Sequence, residues 1–294
     1  MKDLLYYSLD RIKAGNFFLI YPLFLLQLKL FFKIGFEPKN PAQKEIDIVI
    51  PTISKDFSLL DNVISSLKNL KQTVNKIFIV SQENDEIISF CKKNNLVFIE
   101  EKSLLGYGKE KIDYQVNKID RSGWIFQQLL KLSGDKIVEK EDYLVLDSDT
   151  VLTATNSFVD NNRFVFYQNK EWHQPYFESF KKIFGYTTKN KLSFTSHMMI
   201  FNKKLLSEMK QEMEKRWGKS WDQVYLMTIN NKEASCVSDY DTYANWVLYH
   251  HPNLVTEQPF YNKSLSRKKL DSLSTLEKNY GKRYKSVSFH SYIK

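Results

Sequence analysis

The first half of the chain carries four short, mostly apolar runs, and they constrain the fold more than any other feature. Between the first two, Phe57–Leu70 has apolar residues three or four positions apart, which is helical spacing. Strands that alternate with helices form a parallel sheet with right-handed crossovers. We therefore predict an α/β fold with a Rossmann-type, mainly parallel sheet and flanking helices. The predicted strands are Ile46–Ile50, Ile77–Val80, Leu96–Ile99 and Tyr143–Leu146.

The second half of the chain is less regular. It contains two further predicted strands, Phe194–Phe201 and Ser286–His290. No internal repeat or low-complexity segment divides it, so we predict one domain over residues 45–294. The predicted helices of the whole chain are Phe57–Leu70, Glu83–Asn94, Gly123–Leu132, Lys203–Trp217 and Ser238–Tyr249.

Two carboxylates follow the strand Tyr143–Leu146 directly. Asp147 and Asp149 are separated only by Ser148. Ligands of open α/β sheets bind at the carboxyl ends of the strands, and neighbouring acids repel each other unless a cation or an array of donors holds them. A hard divalent ion that bridges substrate phosphates would satisfy both conditions. The alternative is an Asp-rich turn, because Asp and Ser are common turn residues.

The composition is that of a folded protein with an anionic partner. Apolar residues make up 43% of the chain and charged residues 26%, and the formal net charge is +9. Most lysines occur singly or in pairs on predicted helix faces, and exposure of these faces to solvent explains their positive charge without an anionic partner. The chain has no RNP, zinc-finger or P-loop signature, so we expect no nucleic-acid partner. Its two cysteines, Cys91 and Cys236, lack metal-site spacing, and we expect a reducing, cytoplasmic location without structural disulfides.

Residues 1–44 form a separate apolar and basic arm. The stretch Asn16–Phe32 is short for a membrane-spanning helix and lacks the cleavage pattern of a signal peptide. Basic residues such as Arg11 and Lys33 flank it, as they do on helices that lie in the headgroup layer. We expect a peripheral contact with the cytoplasmic membrane face. A hairpin that packs on the main domain is the alternative.

Five motifs carry a family resemblance. The strand Ile48–Thr52, the helix Gly123–Leu132 and the triplet Asp147–Asp149 occur in the order used by GT-A glycosyltransferases. Ser196-His197 and Ser238–Tyr243 narrow the resemblance to the DUF6492 group of bacterial and viral glycosyltransferases. The similar region covers residues 46–290 and implies a GT-A-like fold. It also implies transfer of a sugar from a nucleotide-sugar donor to a hydroxyl acceptor.

The resemblance implies a metal site at the acid triplet. Mn²⁺ or Mg²⁺ would neutralise the diphosphate leaving group as a Lewis acid. Asp149 would bind the metal directly, while Asp147 would contact the ribose or a metal-bound water. GT-A sites often take a further ligand from a C-terminal His, and His290 is the candidate here. The alternative for His290 is a surface residue on a frayed tail.

The resemblance also implies contacts with the donor. Thr52, at the end of the first strand, would lie beside the nucleotide, although a helix cap or turn hydroxyl would explain it equally. Trp124 and Gln128 would face the nucleotide sugar, with a core position as the alternative for Trp124. Lys131 lies three residues beyond Gln128 on the same helix side and could meet a phosphate.

An inverting enzyme of this class needs a base to deprotonate the acceptor hydroxyl. Asp239 and Asp241, which stand where the family pattern has Glu, compete for that role. Ser238 followed by Asp241 is a capping-box pattern that gives Asp241 a structural role, so we favour Asp239 as the base. Both acids could instead simply favour the helix dipole. His197, within a predicted strand, could contact acceptor or phosphate, or be an ordinary core His.

The acceptor implied by the basic, apolar arm is a cell-surface glycan or a lipid-linked intermediate in polysaccharide synthesis. Two other functions remain open from sequence. A nucleotidyltransferase also uses strand-end carboxylates with a divalent ion, but the segment Pro51–Lys55 lacks the Gly-rich phosphate loop such enzymes use. A non-catalytic carbohydrate-binding protein of the same fold is the third, and the intact Asp147 and Asp149 argue against it.

Overall fold

The computed structural model of the protein describes residues 43–169, 173–188, 190 and 192–293. Almost all of the predicted N-terminal arm therefore lies outside the described residues. Within the described part of the chain, no helix has the length and apolar character needed to cross a membrane.

Strands and helices alternate in the first half, as predicted. The strands are β1 Glu45–Pro51, β2 Thr73–Ser81, β3 Val97–Glu100, β4 Gln115–Val116, β5 Ile119–Asp120, β6 Asp142–Leu146, β7 Thr150–Leu152, β8 Val159–Asp160, β9 Arg163–Gln168, β10 Met198–Asn202, β11 Val255–Pro259, β12 Asn262–Ser266 and β13 Ser286–His290. The helices are α1 Phe57–Ser66, α2 Asp85–Lys93, α3 Lys102–Leu105, α4 Ser122–Lys131, α5 Gln174–Phe184, α6 Lys203–Trp217, α7 Trp221–Leu226, α8 Asp239–His250 and α9 Leu273–Tyr280.

The central sheet has the strand order β3-β2-β1-β6-β10. Its first four strands are parallel, and β10 runs antiparallel to β6. All of β6 and all of β1 beyond Glu45 are buried, as expected for parallel strands covered by helices on both faces. The predicted fold class, a mainly parallel α/β sheet with flanking helices, is thus confirmed. The carboxyl ends of β1 and β6 lie side by side at one edge of the sheet.

One predicted strand is wrong in its extent. The segment Phe194–Phe201 was expected to be extended throughout, but β10 begins only at Met198. His197 has φ +62°, in the left-handed region that a β ladder does not accommodate. The predicted position of His197 within a strand is therefore corrected: it lies in the turn that precedes β10.

Two three-stranded sheets complete the fold, in the orders β11-β9-β8 and β12-β13-β7. In the second of these, β13 pairs antiparallel with β7, which begins one residue after Asp149. The Phe289 N–H donates to the carbonyl of Asp149 at 2.8 Å. The predicted strand Ser286–His290 is confirmed, and its pairing brings the C-terminal segment to the acid triplet.

At the opposite end of the strands, the fully buried carboxylate of Asp47 connects neighbouring segments of the chain. Its Oδ1 accepts hydrogen bonds from the Asn75 side chain at 2.8 Å and from the Lys76 N–H at 3.1 Å. Its Oδ2 accepts from the N–H groups of Glu139 and Lys140 at 2.6 and 2.8 Å. One side chain of β1 thus links the start of β2 to the loop that leads into β6.

We predict that Asp47→Asn destabilises the fold. An amide NH₂ replaces one acceptor oxygen and leaves two buried donors without a partner, so the free energy of unfolding should fall by about 2–4 kcal/mol. Urea denaturation would measure the change. The control is Asp61→Asn on the exposed side of α1, which should change the free energy by less than about 0.5 kcal/mol. Equal stability of the two variants would contradict this account of Asp47.

Candidate active site

A cavity of about 450 Å³ opens at the carboxyl ends of β1 and β6. We call it the central cavity. Its polar lining includes Asp147, Asp149, His197, Asp239 and His290. These residues come from four separate places in the sequence, and the fold brings them together at the edge where α/β sheets bind ligands.

Asp147 is surrounded by donors. Its Oδ1 lies 2.6 Å from Lys131 Nζ and accepts a hydrogen bond from the Tyr240 hydroxyl at 2.9 Å, while its Oδ2 lies 3.1 Å from His197 Nδ1. Burial opposes ionisation of Asp147, but Lys131 and His197 outweigh it and hold the pKa of this carboxyl well below its usual range. Asp147 is therefore a carboxylate whose lone pairs are largely occupied by protein groups.

Asp149 has fewer protein donors than Asp147, although its side chain is about as exposed, at 20% against 18%. The Asp149 Oδ2 lies 3.3 Å from His290 Nδ1. The rings of His290 and His197 are 5.1 Å apart, so both imidazoles lie beside the acid triplet. Among the described residues, no cluster of three or more His, Cys, Asp or Glu side chains could hold a metal ion. Asp149 and His290 are therefore a pair of ligand-type side chains whose remaining ligands would have to come from a substrate or water.

His197 is fixed by its backbone as well as its ring. Its carbonyl accepts the N–H of Asp147 at 2.9 Å, one residue before Met198 pairs with Leu146. Burial lowers the pKa of the His197 ring, but the adjacent Asp147 carboxylate outweighs burial and raises it. His197 thus contacts Asp147, while its predicted contact with acceptor or phosphate stays a prediction.

Asp239 lies at the first turn of α8 and lines the central cavity. The carboxamide of Gln128 fixes its backbone, because Gln128 Oε1 accepts the Asp239 N–H at 3.0 Å and the Tyr225 hydroxyl at 2.5 Å. The Asp239 Oδ2 lies 3.5 Å from Lys131 Nζ and makes no hydrogen bond within the described part of the chain. Burial raises the pKa of Asp239 to about 6, against the opposing effect of Lys131. A carboxylate with that pKa suits proton transfer near neutral pH.

Asp241 has a structural environment instead. Its carboxylate accepts hydrogen bonds from the hydroxyls of Ser193 and Thr195 at 2.8 and 2.9 Å and from the Phe194 N–H at 2.9 Å. The Ser238 hydroxyl accepts the Asp241 N–H at 3.1 Å, as the predicted N-cap requires. Asp241 is nearly fully buried and is absent from the lining of the central cavity. The structure therefore separates the two acids that the sequence left in competition.

Lys131 and Gln128, predicted as donor contacts, both line the central cavity but bind protein groups. Lys131 is only 5% exposed, and its ammonium lies between Asp147 and Asp239 and 4.4 Å from the centre of the Tyr240 ring. Gln128 holds Asp239, as described above. A direct contact of either residue with the donor stays a prediction.

A second cavity, of about 600 Å³, adjoins the first; we call it the side cavity. It lies at the ends of β1, β2 and β3 and shares part of its wall with the central cavity, including Lys55, Arg121 and Trp124. Thr52 lines it, and the buried Thr52 Oγ1 has no hydrogen-bond partner among the described residues. Thr52 does not cap a helix, because the short 3₁₀ turn that follows is preceded by Ile53.

Sequence reasoning missed an ion pair at the cavity wall. Arg267, which follows β12, pairs with Asp56, and the Asp56 Oδ2 accepts the Ser148 hydroxyl at 3.0 Å. The basic run Arg267–Lys269 was the available signal, but it resembles an ordinary solvated segment. Tyr240 was also missed as a partner of Asp147, although it lies within the motif Ser238–Tyr243.

Several solved structures and one family model match this chain. Mouse xyloside xylosyltransferase 1 aligns with 84% of this chain and 98% of its own at 12% identity, with a TM-score of 0.46. The galactosyltransferase LgtC, bound to donor and acceptor sugar analogues, aligns with 84% of this chain and 88% of its own at 11% identity, with a TM-score of 0.45. The bifunctional glycosyltransferase WbbM aligns with 88% of this chain and 48% of its own at 12% identity and a TM-score of 0.46.

A search of curated proteins found no match. A model of DUF6492, described as a family of unknown function, matches residues 43–280, which confirms the resemblance expected from the motifs.

We predict opposite effects of amide substitution at the two acids of α8. In Asp241→Asn an NH₂ group would face donors that now bind a carboxylate, so the free energy of unfolding should fall by about 2–4 kcal/mol. Asp239→Asn should not lower stability at neutral pH, because it removes a buried charge whose Oδ2 accepts no hydrogen bond among the described residues. Chemical denaturation of both variants would check this. A larger loss in Asp239→Asn than in Asp241→Asn would contradict the assignment.

The pH dependence of stability gives a second check on Asp239. Its pKa is raised on folding, so the folded state binds this proton more tightly than the unfolded state, in which an Asp has a pKa of about 3.9. Relative to Asp239→Asn, the wild-type protein should therefore lose stability as pH rises from about 4 to about 6, and then stay level. Parallel denaturation curves of the two proteins across this range would measure the difference. No change in that difference with pH would show that Asp239 ionises normally.

Proposed function

We propose that this chain, which belongs to the DUF6492 family, is a metal-dependent glycosyltransferase that moves a sugar from a nucleotide-sugar donor to a hydroxyl acceptor. The observation that carries the proposal is the division of three acids at one sheet edge. Asp147 is held by three protein side chains, Asp149 faces His290 and has fewer protein donors, and Asp239 is buried with a raised pKa. Such a transfer needs one acid that holds the nucleotide sugar, one that binds the metal and one that accepts the proton of the acceptor hydroxyl.

The two adjoining cavities share a wall, and we assign one to each end of a nucleotide sugar. The side cavity would take the nucleoside, since the unpaired hydroxyl of Thr52 lies in its wall. Lys55 and Arg121, in the shared wall, supply positive charge where a diphosphate would cross from one cavity to the other. Trp124 lies in the same wall and offers a ring face. The sugar would then lie in the central cavity beside the three acids.

The residues at the triplet fit a divalent ion. Asp149 and His290 would hold it together with phosphate oxygens and water, which agrees with the low number of protein ligands Mg²⁺ and Mn²⁺ take at phosphate sites. The ion, Mn²⁺ or Mg²⁺, would supply Lewis-acid stabilisation of the diphosphate leaving group. Asp147 would contact the ribose or a metal-bound water, and Lys131 keeps this carboxylate ionised.

Asp239 would accept the proton of the acceptor hydroxyl. Its pKa of about 6 leaves it ionised at neutral pH yet more basic than an exposed carboxylate. Gln128 and Lys131 hold it at the wall of the central cavity. The acceptor in this proposal is a glycan or a lipid-linked intermediate in cell-surface polysaccharide synthesis.

We extend the proposal to location: a cytoplasmic enzyme whose residues 1–44 contact the membrane surface. The support is the apolar and basic sequence of that arm alone. Fractionation of the full chain and of a chain that begins at Glu45 would test it. Equal partitioning of the two between membrane and soluble fractions would refute the membrane contact and leave the transfer reaction unaffected.

The test of activity is release of the nucleoside diphosphate. The protein is incubated with a panel of nucleotide sugars and sugar acceptors, with Mn²⁺ and then with EDTA. We expect release from at least one donor that depends on the ion. Release of pyrophosphate would instead indicate a nucleotidyltransferase, and the absence of any ion-dependent product would favour a non-catalytic binding protein.

We predict that two substitutions separate binding from transfer. Asp149→Ala should abolish ion-dependent nucleotide binding, because it removes the carboxylate of the triplet that has fewer protein donors and would bind the ion. Asp239→Asn should retain binding and reduce transfer by a factor of about 10²–10⁴, the usual contribution of a general base. Nucleotide binding by calorimetry and turnover in the release assay would distinguish the two. Full turnover in Asp239→Asn would remove Asp239 from the mechanism.

A further inference from the structure

The side cavity contains a buried carboxylate that the proposed reaction does not use. Glu101 follows β3 directly, is only 4% exposed and lines this cavity. Its N–H donates to the carbonyl of Ser81 at 2.9 Å, which places it beside the end of β2. On the other side of β2, the Thr52 N–H donates to the Val80 carbonyl at 2.8 Å. Thr52 and Glu101 thus lie in one row along the ends of three adjacent strands.

The environment of Glu101 is that expected of a ligand-binding residue. Its side chain hydrogen-bonds to that of Gln82, which also lines the cavity. Burial raises the pKa of Glu101, against the opposing effects of Gln82, Lys109 and Lys102. An acid that is buried at a cost and has no ion pair within hydrogen-bond distance in the described part of the chain gains little stability from its position. A ligand that enters the side cavity explains the position of Glu101 better than stability does.

The rest of the wall suits a flat heterocycle. Phe57, Trp124 and Phe126 contribute aromatic surface, and the volume of about 600 Å³ lies in the range of small-molecule sites. Aromatic surface combined with a few fixed polar groups is what recognition of a planar base requires. Glu101, Gln82 and Thr52 are the polar groups here.

We propose that Glu101 selects the base of the donor nucleotide by accepting the ring N–H of guanine or uracil. This inference rests on the proposed function, because it assigns the side cavity to the nucleoside. Guanine and uracil carry a hydrogen on the ring nitrogen of their pairing edge, whereas adenine and cytosine present a lone pair there. A carboxylate attracts the first kind of edge and repels the second. Guanine, with a neighbouring amino group, can bind both carboxylate oxygens.

The discrimination should be large because the site is buried. A buried acceptor that meets a lone pair instead of a donor loses its hydrogen bond and stays desolvated. Sites built to hydrogen-bond a particular group reject analogues that lack it more strongly than apolar pockets do. We therefore expect GDP and UDP to bind at least about tenfold more tightly than ADP and CDP, the ratio produced by one good polar contact.

The experiment measures binding of the four nucleoside diphosphates to the full chain by calorimetry, at constant Mn²⁺ and at about pH 8, well above the usual pKa range of a carboxyl. Glu101→Gln keeps the size of the side chain but adds donors. It should weaken binding of GDP and UDP by about tenfold and leave ADP and CDP equal or tighter. The control is Glu86→Gln, an exposed acid on α2 outside the lining of both cavities, which should change each affinity by less than about twofold. Circular dichroism and thermal unfolding would establish that both variants are folded.

The outcomes separate this inference from the proposed function. Preference for GDP or UDP that is lost in Glu101→Gln supports both. Binding of ADP or CDP as tight as that of GDP and UDP, or equal affinities of wild type and Glu101→Gln, overturns the role of Glu101 and leaves the glycosyltransferase proposal standing. Failure of every nucleotide to bind overturns the assignment of the side cavity and with it the proposed function.

Discussion

A single buried ammonium, that of Lys131, determines the arrangement of the candidate site. It lies 2.6 Å from Asp147 and 3.5 Å from Asp239, two acids that are far apart in the sequence. Without a shared cation, two carboxylates so close in a buried site would repel each other and one would be protonated. Lys131 lies nearer to Asp147 and keeps that acid ionised, whereas burial raises the pKa of Asp239 to about 6 against the opposing effect of the more distant Lys131. The position of one side chain on α4 thus gives two chemically identical groups different properties.

The acid triplet owes its position to two different sheets. The N–H of Asp147 donates to the His197 carbonyl, which continues the pairing of β6 with β10. Two residues later the carbonyl of Asp149 accepts from Phe289, which continues the pairing of β7 with β13. The chain turns between them, where the Thr150 N–H donates to the Asp147 carbonyl at 3.1 Å. Each acid is therefore presented to a histidine from the segment that pairs with its own backbone: His197 in the turn before β10, and His290 in β13.

The sequence predicted those features that depend on residues close together in the chain, such as strands and helix caps. Apolar runs located the five strands of the central sheet and β13, and the order Ser238…Asp241 identified a helix cap that left Asp239 free to face the cavity. The partner of Lys131 was not predictable, because the two acids it joins lie 16 and 108 positions away and no periodicity connects them. The left-handed backbone of His197 was missed for a related reason: its apolar neighbours favour a strand, and only the tertiary contact with Asp147 favours the turn. Glu101 gave no signal at all, since a lone Glu after a strand is common.

The hydrogen-bond partners of the two acids, and not their exposure, distinguish them for the roles in the proposed function. The two side chains are almost equally exposed, 18% for Asp147 and 20% for Asp149. Asp147, which would orient the donor, is held by three different side chains. Asp149, which would bind the metal, has longer contacts, with His290 at 3.3 Å and Thr150 at 3.4 Å. One carboxylate cannot meet both demands, because each hydrogen bond that fixes it removes a lone pair that an ion would use. Ser148 separates the two acids by one small residue, so the chain turns between an acid with many protein partners and an acid with few.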